Sequence, residues 1–319
     1  MSTEEQLAWE QRNRPKAGLA ALAAAVLTIL GTVITYASYG ARPSGESRAQ
    51  TTIDTLGRAS QGLRNPPGAL AVQTEYVGHH LALPILGAVV AGLGTFALFP
   101  ALALLFRATR ARRPELPQIA LILLAVGAVS VGIGRIVAEV ASDLGARGFG
   151  GAGTDMSNSA ARDAIAPSSA LVGQVILLTG TLALGGAILL VALNAMRAGL
   201  LTRFMGVMGM IVGGALLLTP FAAIDQQGII RTFWLGALGA LLLGRWPRGV
   251  PPAWETGEAV PWPTQQQLRE EREARNAEPD AGRPAPPAPR APAPRPDDAG
   301  SPARAHSASK KKKKKRSGG

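Results

Sequence analysis

Between Ala17 and Trp246, six long apolar runs alternate with shorter polar segments. They cover about 17–39, 80–106, 118–141, 168–193, 204–222 and 229–246. Crossing a hydrocarbon core in helical form takes roughly 20 predominantly apolar residues, so each run predicts a membrane span. The pattern predicts an all-α integral membrane protein. Its core is a six-transmembrane-helix bundle, with a polar segment at 1–16 before it and a Pro/Ala/Arg-rich tail at 247–319 after it.

Basic charge adds a direction. Arg12, Arg14 and Lys16 precede the first run, and Arg107, Arg110, Arg112 and Arg113 follow the second. Arg197 and Arg203 follow the fourth, and Arg245 and Arg248 close the sixth. Loops at the opposite ends are dilute in basic residues. An excess of Lys and Arg in short loops marks the cytoplasmic side, and an even number of spans then places both termini there. The net charge of +12 thus reads first as an orientation signal. The first run exceeds the roughly 7–15 residues of a signal-peptide core, which predicts a retained span.

The tail from Pro247 is poor in aliphatic residues and cannot bury enough apolar area to offset chain entropy, so its composition predicts disorder. Trp254 and Trp262 stand out in its proline-rich start as aromatic anchors, either at headgroup depth or against a partner. At its end, Lys310, Lys311, Lys312, Lys313, Lys314, Lys315 and Arg316 form a dense polybasic cluster. Anionic lipids attract such clusters at about 1 kcal/mol per charge near the surface. RNA or an acidic protein is the other class of partner that this charge suits.

Within the runs, polar chemistry is sparse. Arg135 and Glu139 lie four residues apart on one helical face, and ionisable groups at membrane depth pair or face a polar cavity. Gln174, in the fourth run, is a candidate neighbour at similar depth. Glu75, His79 and His80 cluster where the second run begins, predicting an interfacial, hydrogen-bonded group. Two ligands are too few for a metal site, which wants three or four with suitable spacing, and adjacent histidines on one helix cannot supply both axial ligands of a haem. No cysteine is present. HExxH, GxSxG and P-loop lysine patterns are missing, so no catalytic residue, cofactor or metal is expected.

Small residues punctuate the spans. Gly209 with Gly213, and Gly236 with Ala240, are small-xxx-small pairs that let helices approach closely. Packing within the bundle is the simpler expectation, and a homodimer the second. The Gly-rich outer loops, near Gly145 to Gly153 above all, are expected to be mobile unless they pack on each other.

The stretch Asn194-Ala195-Met196-Arg197-Ala198-Gly199-Leu200-Leu201-Thr202-Arg203-Phe204 and the run Gly206 to Gly214 resemble uncharacterised actinobacterial multi-pass membrane proteins. So do Leu243-Gly244-Arg245-Trp246-Pro247 and Pro251-Pro252-Ala253-Trp254-Glu255-Thr256-Gly257. The resemblance covers the second half of the chain. It implies a polytopic protein of the bacterial inner membrane and brings no activity with it. The expectation is a non-enzymatic membrane platform whose polybasic tail contacts anionic lipids or a polyanionic partner. The alternative is a small-solute transporter or channel, with Arg135, Glu139 and Gln174 lining a polar interior.

Overall fold

The computed structural model describes residues 2–38, 57, 60–62, 68–151, 153–219, 228–247, 249–263 and 265–277, and no strand occurs among them. The helices are α1 (Thr3–Ser38), α2 (Ala69–His79), α3 (Ala82–Arg112), α4 (Ile119–Ala146) and α5 (Asn158–Ile165). They continue with α6 (Ser168–Arg197), α7 (Arg203–Leu218), α8 (Ile229–Leu242), α9 (Ala253–Thr256) and α10 (Gln265–Ala277). Residues 2–263 belong to one compact unit, and α10 lies in a second.

Four helices, α1, α3, α4 and α6, are long and apolar enough to cross a membrane. The apolar helices α7 and α8 have 16 and 14 described residues, and the expected turn around Asp225 between them lies outside the described residues. Going round the bundle, α1 packs on α3, α3 on α4, α4 on α6, α6 on α7, α7 on α8, and α8 on α1. Helices α3 and α6 also meet across the middle.

Register comes from glycine. Lipid offers no hydrophobic drive between helices, so close backbone approach has to supply the packing energy. A Cβ on Gly31 would lie 2.5 Å from Ala91 N, one on Gly94 would meet Thr28 N, and one on Gly87 would meet Thr35. In all three pairs the residue numbers have the same sum, the mark of one antiparallel register along α1 and α3. The α4–α6 seam behaves alike, through Gly127 with Leu184, Val131 with Gly180, Gly134 with Leu177, and Ala138 with Gly173. Gly213 likewise meets Gly185, so the Gly209/Gly213 pair packs inside the bundle. Gly236 differs, because a Cβ there would meet nothing within 4 Å.

Hydroxyls in these seams bond inward along their own helices. Thr28, Thr95, Thr109 and Thr181 each donate to the carbonyl four residues earlier. That satisfies a polar group where no water is at hand.

Three expectations change. The segment expected as a polar lead-in at 1–16 is helical from Thr3 onward and continuous with the first span, carrying Pro15 within it. Ser2 and Glu5 begin it with a capping box: Glu5 N donates to Ser2 Oγ and Ser2 N to Glu5 Oε2. The tail expected from Pro247 is packed against the helices as far as Pro263. Its aromatic and backbone donors find partners there, which the composition argument did not count. Lys310 to Arg316 lie outside the described residues. Finally, the described part of the Gly-rich loop after α4 packs, the condition under which mobility was not expected. Helices α2 and α5 cover the end of α4, with Ala71, Phe149 and Ala161 forming a small second core and Gly78 set against the Ala146 carbonyl.

Filling a seam should destabilise, and filling an open position should not. Gly134→Val forces a branched side chain into the Leu177 backbone and should cost about 1–3 kcal/mol. Gly186→Ala, where a Cβ meets nothing within 4 Å, should be neutral or stabilising by up to about 1 kcal/mol. Thermal unfolding in detergent compares the two.

Candidate functional site

Four helix ends meet at the basic end of the bundle: the start of α1 and the ends of α3, α6 and α8. A helix end leaves its last carbonyls without intrahelical partners. Helices α6 and α8 recover some of them in Schellman turns. Leu200 N bonds Ala195 O past Gly199, and Arg245 N bonds Ala240 O past Gly244, both glycines holding positive φ. The carbonyls just past α6 face residues 249–263, which cross this end as a strap.

The strap supplies the missing donors. Val260 N bonds Ala198 O at 3.1 Å, Trp254 Nε1 bonds Leu200 O at 2.9 Å, and Trp262 Nε1 bonds Leu201 O at 2.8 Å. In the opposite direction, Arg203 donates to the strap's Pro263 O. Trp254 is 2% exposed, so this ring is anchored in protein rather than at headgroup depth. Trp262 is partly exposed. Gly257 turns the strap with φ 74° against Thr3 and Leu7 of α1.

Beneath Trp254 lies a buried ion pair. Arg112 on α3 binds Glu10 on α1 in a bidentate fork, Nη1 to Oε1 at 2.7 Å and Nη2 to Oε2 at 2.9 Å, with the side chains 0% and 1% exposed. Arg112 also donates from Nε and Nη2 to Ala253 O and from Nη1 to Ala108 O. A guanidinium has five N–H donors, and these five bonds use them all. Gln6 Nε2 completes Glu10 at 2.8 Å.

Arg14 reaches across the same end to Leu242 O at 3.0 Å, and its guanidinium stands 5.3 Å from the Trp254 ring centroid. Burial lowers the Arg14 pKa from its ordinary value, while the carboxylates of Glu10 and Glu255 pull it back up. Arg112 lies 5.8 Å from the same ring, and Arg107 5.6 Å from that of Trp9. Such cation–π contacts add about 0.5–2 kcal/mol each, more where water is excluded.

The sequence-predicted residues fall elsewhere. Arg135 Nε lies 2.9 Å from Glu139 Oε1, yet the N–H does not point along that line, so the contact is an ion pair without a hydrogen bond. Both side chains are partly exposed. Gln174 is exposed on α6 and is not bonded to either of them. At the end of the bundle opposite the basic one, His80 stacks on Tyr76 with ring centroids 4.3 Å apart and shares a 2.9 Å contact with Tyr76 O. His79 is exposed, and Glu75 backs onto Gly150 instead of joining the histidines. Among the described residues, no three His, Cys, Asp or Glu side chains gather in the manner of a metal site.

Glu10 was not singled out from the sequence, and Arg14 and Arg112 entered only as orientation charges, though a further signal exists. Glu10, Ala17, Ala24, Gly31 and Ser38 recur at heptad spacing and are buried, as are Pro84, Ala91, Leu98, Leu105 and Arg112. The glutamate continues a stripe of small residues, and the arginine continues an apolar one. The Glu10–Arg112 pair also obeys the register sum of Gly31 with Ala91. Compared with known proteins, the chain matches no family model, no curated protein and no solved structure.

Leaving one half of this pair buried alone should be severe. Arg112→Ala is expected to cost about 3–5 kcal/mol, whereas Glu10→Leu with Arg112→Met should recover most of the loss. Trp254→Ala should cost a similar amount and expose the strap to protease. Thermal unfolding and limited proteolysis of residues 249–263 check both expectations.

Proposed function

We propose that the chain is a six-span protein of a bacterial cytoplasmic membrane, with both termini in the cytoplasm. It works without catalysis, as a platform that presents a polybasic tail to anionic lipids or to a polyanion. The bacterial assignment follows from the resemblance in its second half, and the orientation from the basic loops. Four helices with the length and apolarity to cross a membrane support the membrane part.

One observation carries the platform reading. The strap is fastened by four groups to two helix ends, through the Ala253 carbonyl to α3 and through Trp254, Val260 and Trp262 to the end of α6. A chain that only needed to end would not require so many bonds there. Everything after Pro263, including Lys310 to Arg316, therefore leaves from a fixed point at the basic end of the bundle. Tethering raises the local concentration of a weak binding segment at a surface, so an individually modest attraction becomes useful.

Two experiments test this reading. A reporter fused after Arg113 should read cytoplasmic, and a periplasmic reading would overturn the orientation. Full-length protein in nanodiscs of neutral lipid should capture RNA or anionic vesicles. Replacing Lys310 to Arg316 by Gln should reduce that capture by at least about tenfold at low salt, with the salt dependence expected of Lys contacts to phosphates. Capture that ignores both the substitution and the salt would exclude the polybasic role.

A further inference from the structure

Among the described residues, a seam between α1 and α8 is left unfilled. A groove of about 910 Å³ runs there, lined by Leu22, Val26, Ile29 and Val33 of α1 and by Phe233 and Gly236 of α8. Val26, Ile29, Val33 and Phe233 are 54–59% exposed, and a Cβ on Gly236 would meet nothing within 4 Å. From Leu22 to Tyr36 the groove follows α1 for roughly 21 Å at the helical rise. Half of a ~30 Å hydrocarbon core is shorter than that.

The groove ends at Trp246, and the same residue lines a second cavity of about 310 Å³ at the basic end. That cavity is bounded by Arg203, Trp262, Val250 and Pro251. Arg203 donates to Pro263 O and is exposed. Lys16 and Arg245 are exposed at this same end. An apolar groove along the helices thus passes, across Trp246, into a pocket at the basic end lined by Arg203 and two tryptophans. Both volumes fall in the range of about 300–1,000 Å³ typical of ligand sites.

We propose that the α1–α8 groove and the pocket beyond Trp246 form one binding site for an anionic phospholipid. An acyl chain fills the groove beside Gly236, and the phosphate headgroup sits by Arg203, with Trp246 at the junction. Charge decides against a second copy of the chain. Two copies inserted in the same direction and related by a two-fold axis would bring their basic ends side by side, whereas an anionic headgroup neutralises that end. This site is separate from the polybasic tail and does not depend on the platform reading.

The test uses full-length protein reconstituted in vesicles of equal phosphatidylglycerol and phosphatidylcholine, extracted in mild detergent, with retained lipid counted by mass spectrometry. Phosphatidylglycerol should exceed phosphatidylcholine by about five-fold or more, the ratio expected from one well-placed basic residue. Arg203→Gln should abolish the preference. Gly236→Leu should remove most retained lipid while keeping the fold, since leucine is the better helix former and enters open space. Replacing Lys310 to Arg316 by Gln should leave retention unchanged. Equal retention of the two lipids would overturn the proposal. So would a preference lost only with the tail lysines, or a cross-linked dimer that Gly236→Leu abolishes while lipid stays bound.

Discussion

The Glu10–Arg112 pair sets the terms on which the rest of the bundle assembles. Two charges removed from water are costly, and they are tolerated only where geometry and further hydrogen bonds compensate. Here the fork is bidentate, and the remaining guanidinium donors go to Ala108 and Ala253 carbonyls. That arrangement requires α1, α3 and the strap at once. The N-terminal turns of α1 consequently belong to the folded unit, as does the chain past the last apolar helix.

The seams and the basic end use different physics. Along the seams, Gly31, Gly134 and Gly173 bring backbones together until dispersion does the holding, because lipid competes as well as leucine for apolar surface. At the basic end, where helices stop, the deficit is of hydrogen-bond partners rather than of contact area. Trp254 and Trp262 meet it with indole N–H groups that also bring large apolar rings. Aromatic residues in a proline-rich stretch can therefore be closing pieces for helix ends, and proline keeps that stretch from continuing as helix.

Much of this fold was legible in the sequence. The apolar runs located the long helices, and the clustering of Arg and Lys anticipated that one end would collect the basic residues. The Arg135–Glu139 pair was visible from its spacing. What composition concealed was long-range. A glutamate in the middle of a polar lead-in reads as solvated until Arg112, about a hundred positions later, is placed opposite it. The strap was hidden for the same reason, since its prolines suggest disorder and its partners are carbonyls, which no side-chain pattern reveals. The cap of α2 and α5 depends on contacts of Ala71, Phe149 and Ala161 that are too few to mark a core.

The common register of α1 and α3 has a consequence for how this chain can vary. Gly31 against Ala91 and Glu10 against Arg112 are three heptads apart on each helix, roughly 32 Å along the axis. Inserting or deleting a single residue between them turns one end by about 100° relative to the other. The glycine contact and the ion pair could not then both form. The spacing between the two contacts is thus held as firmly as the residues that make them, and length changes in this protein belong in its loops and its tail.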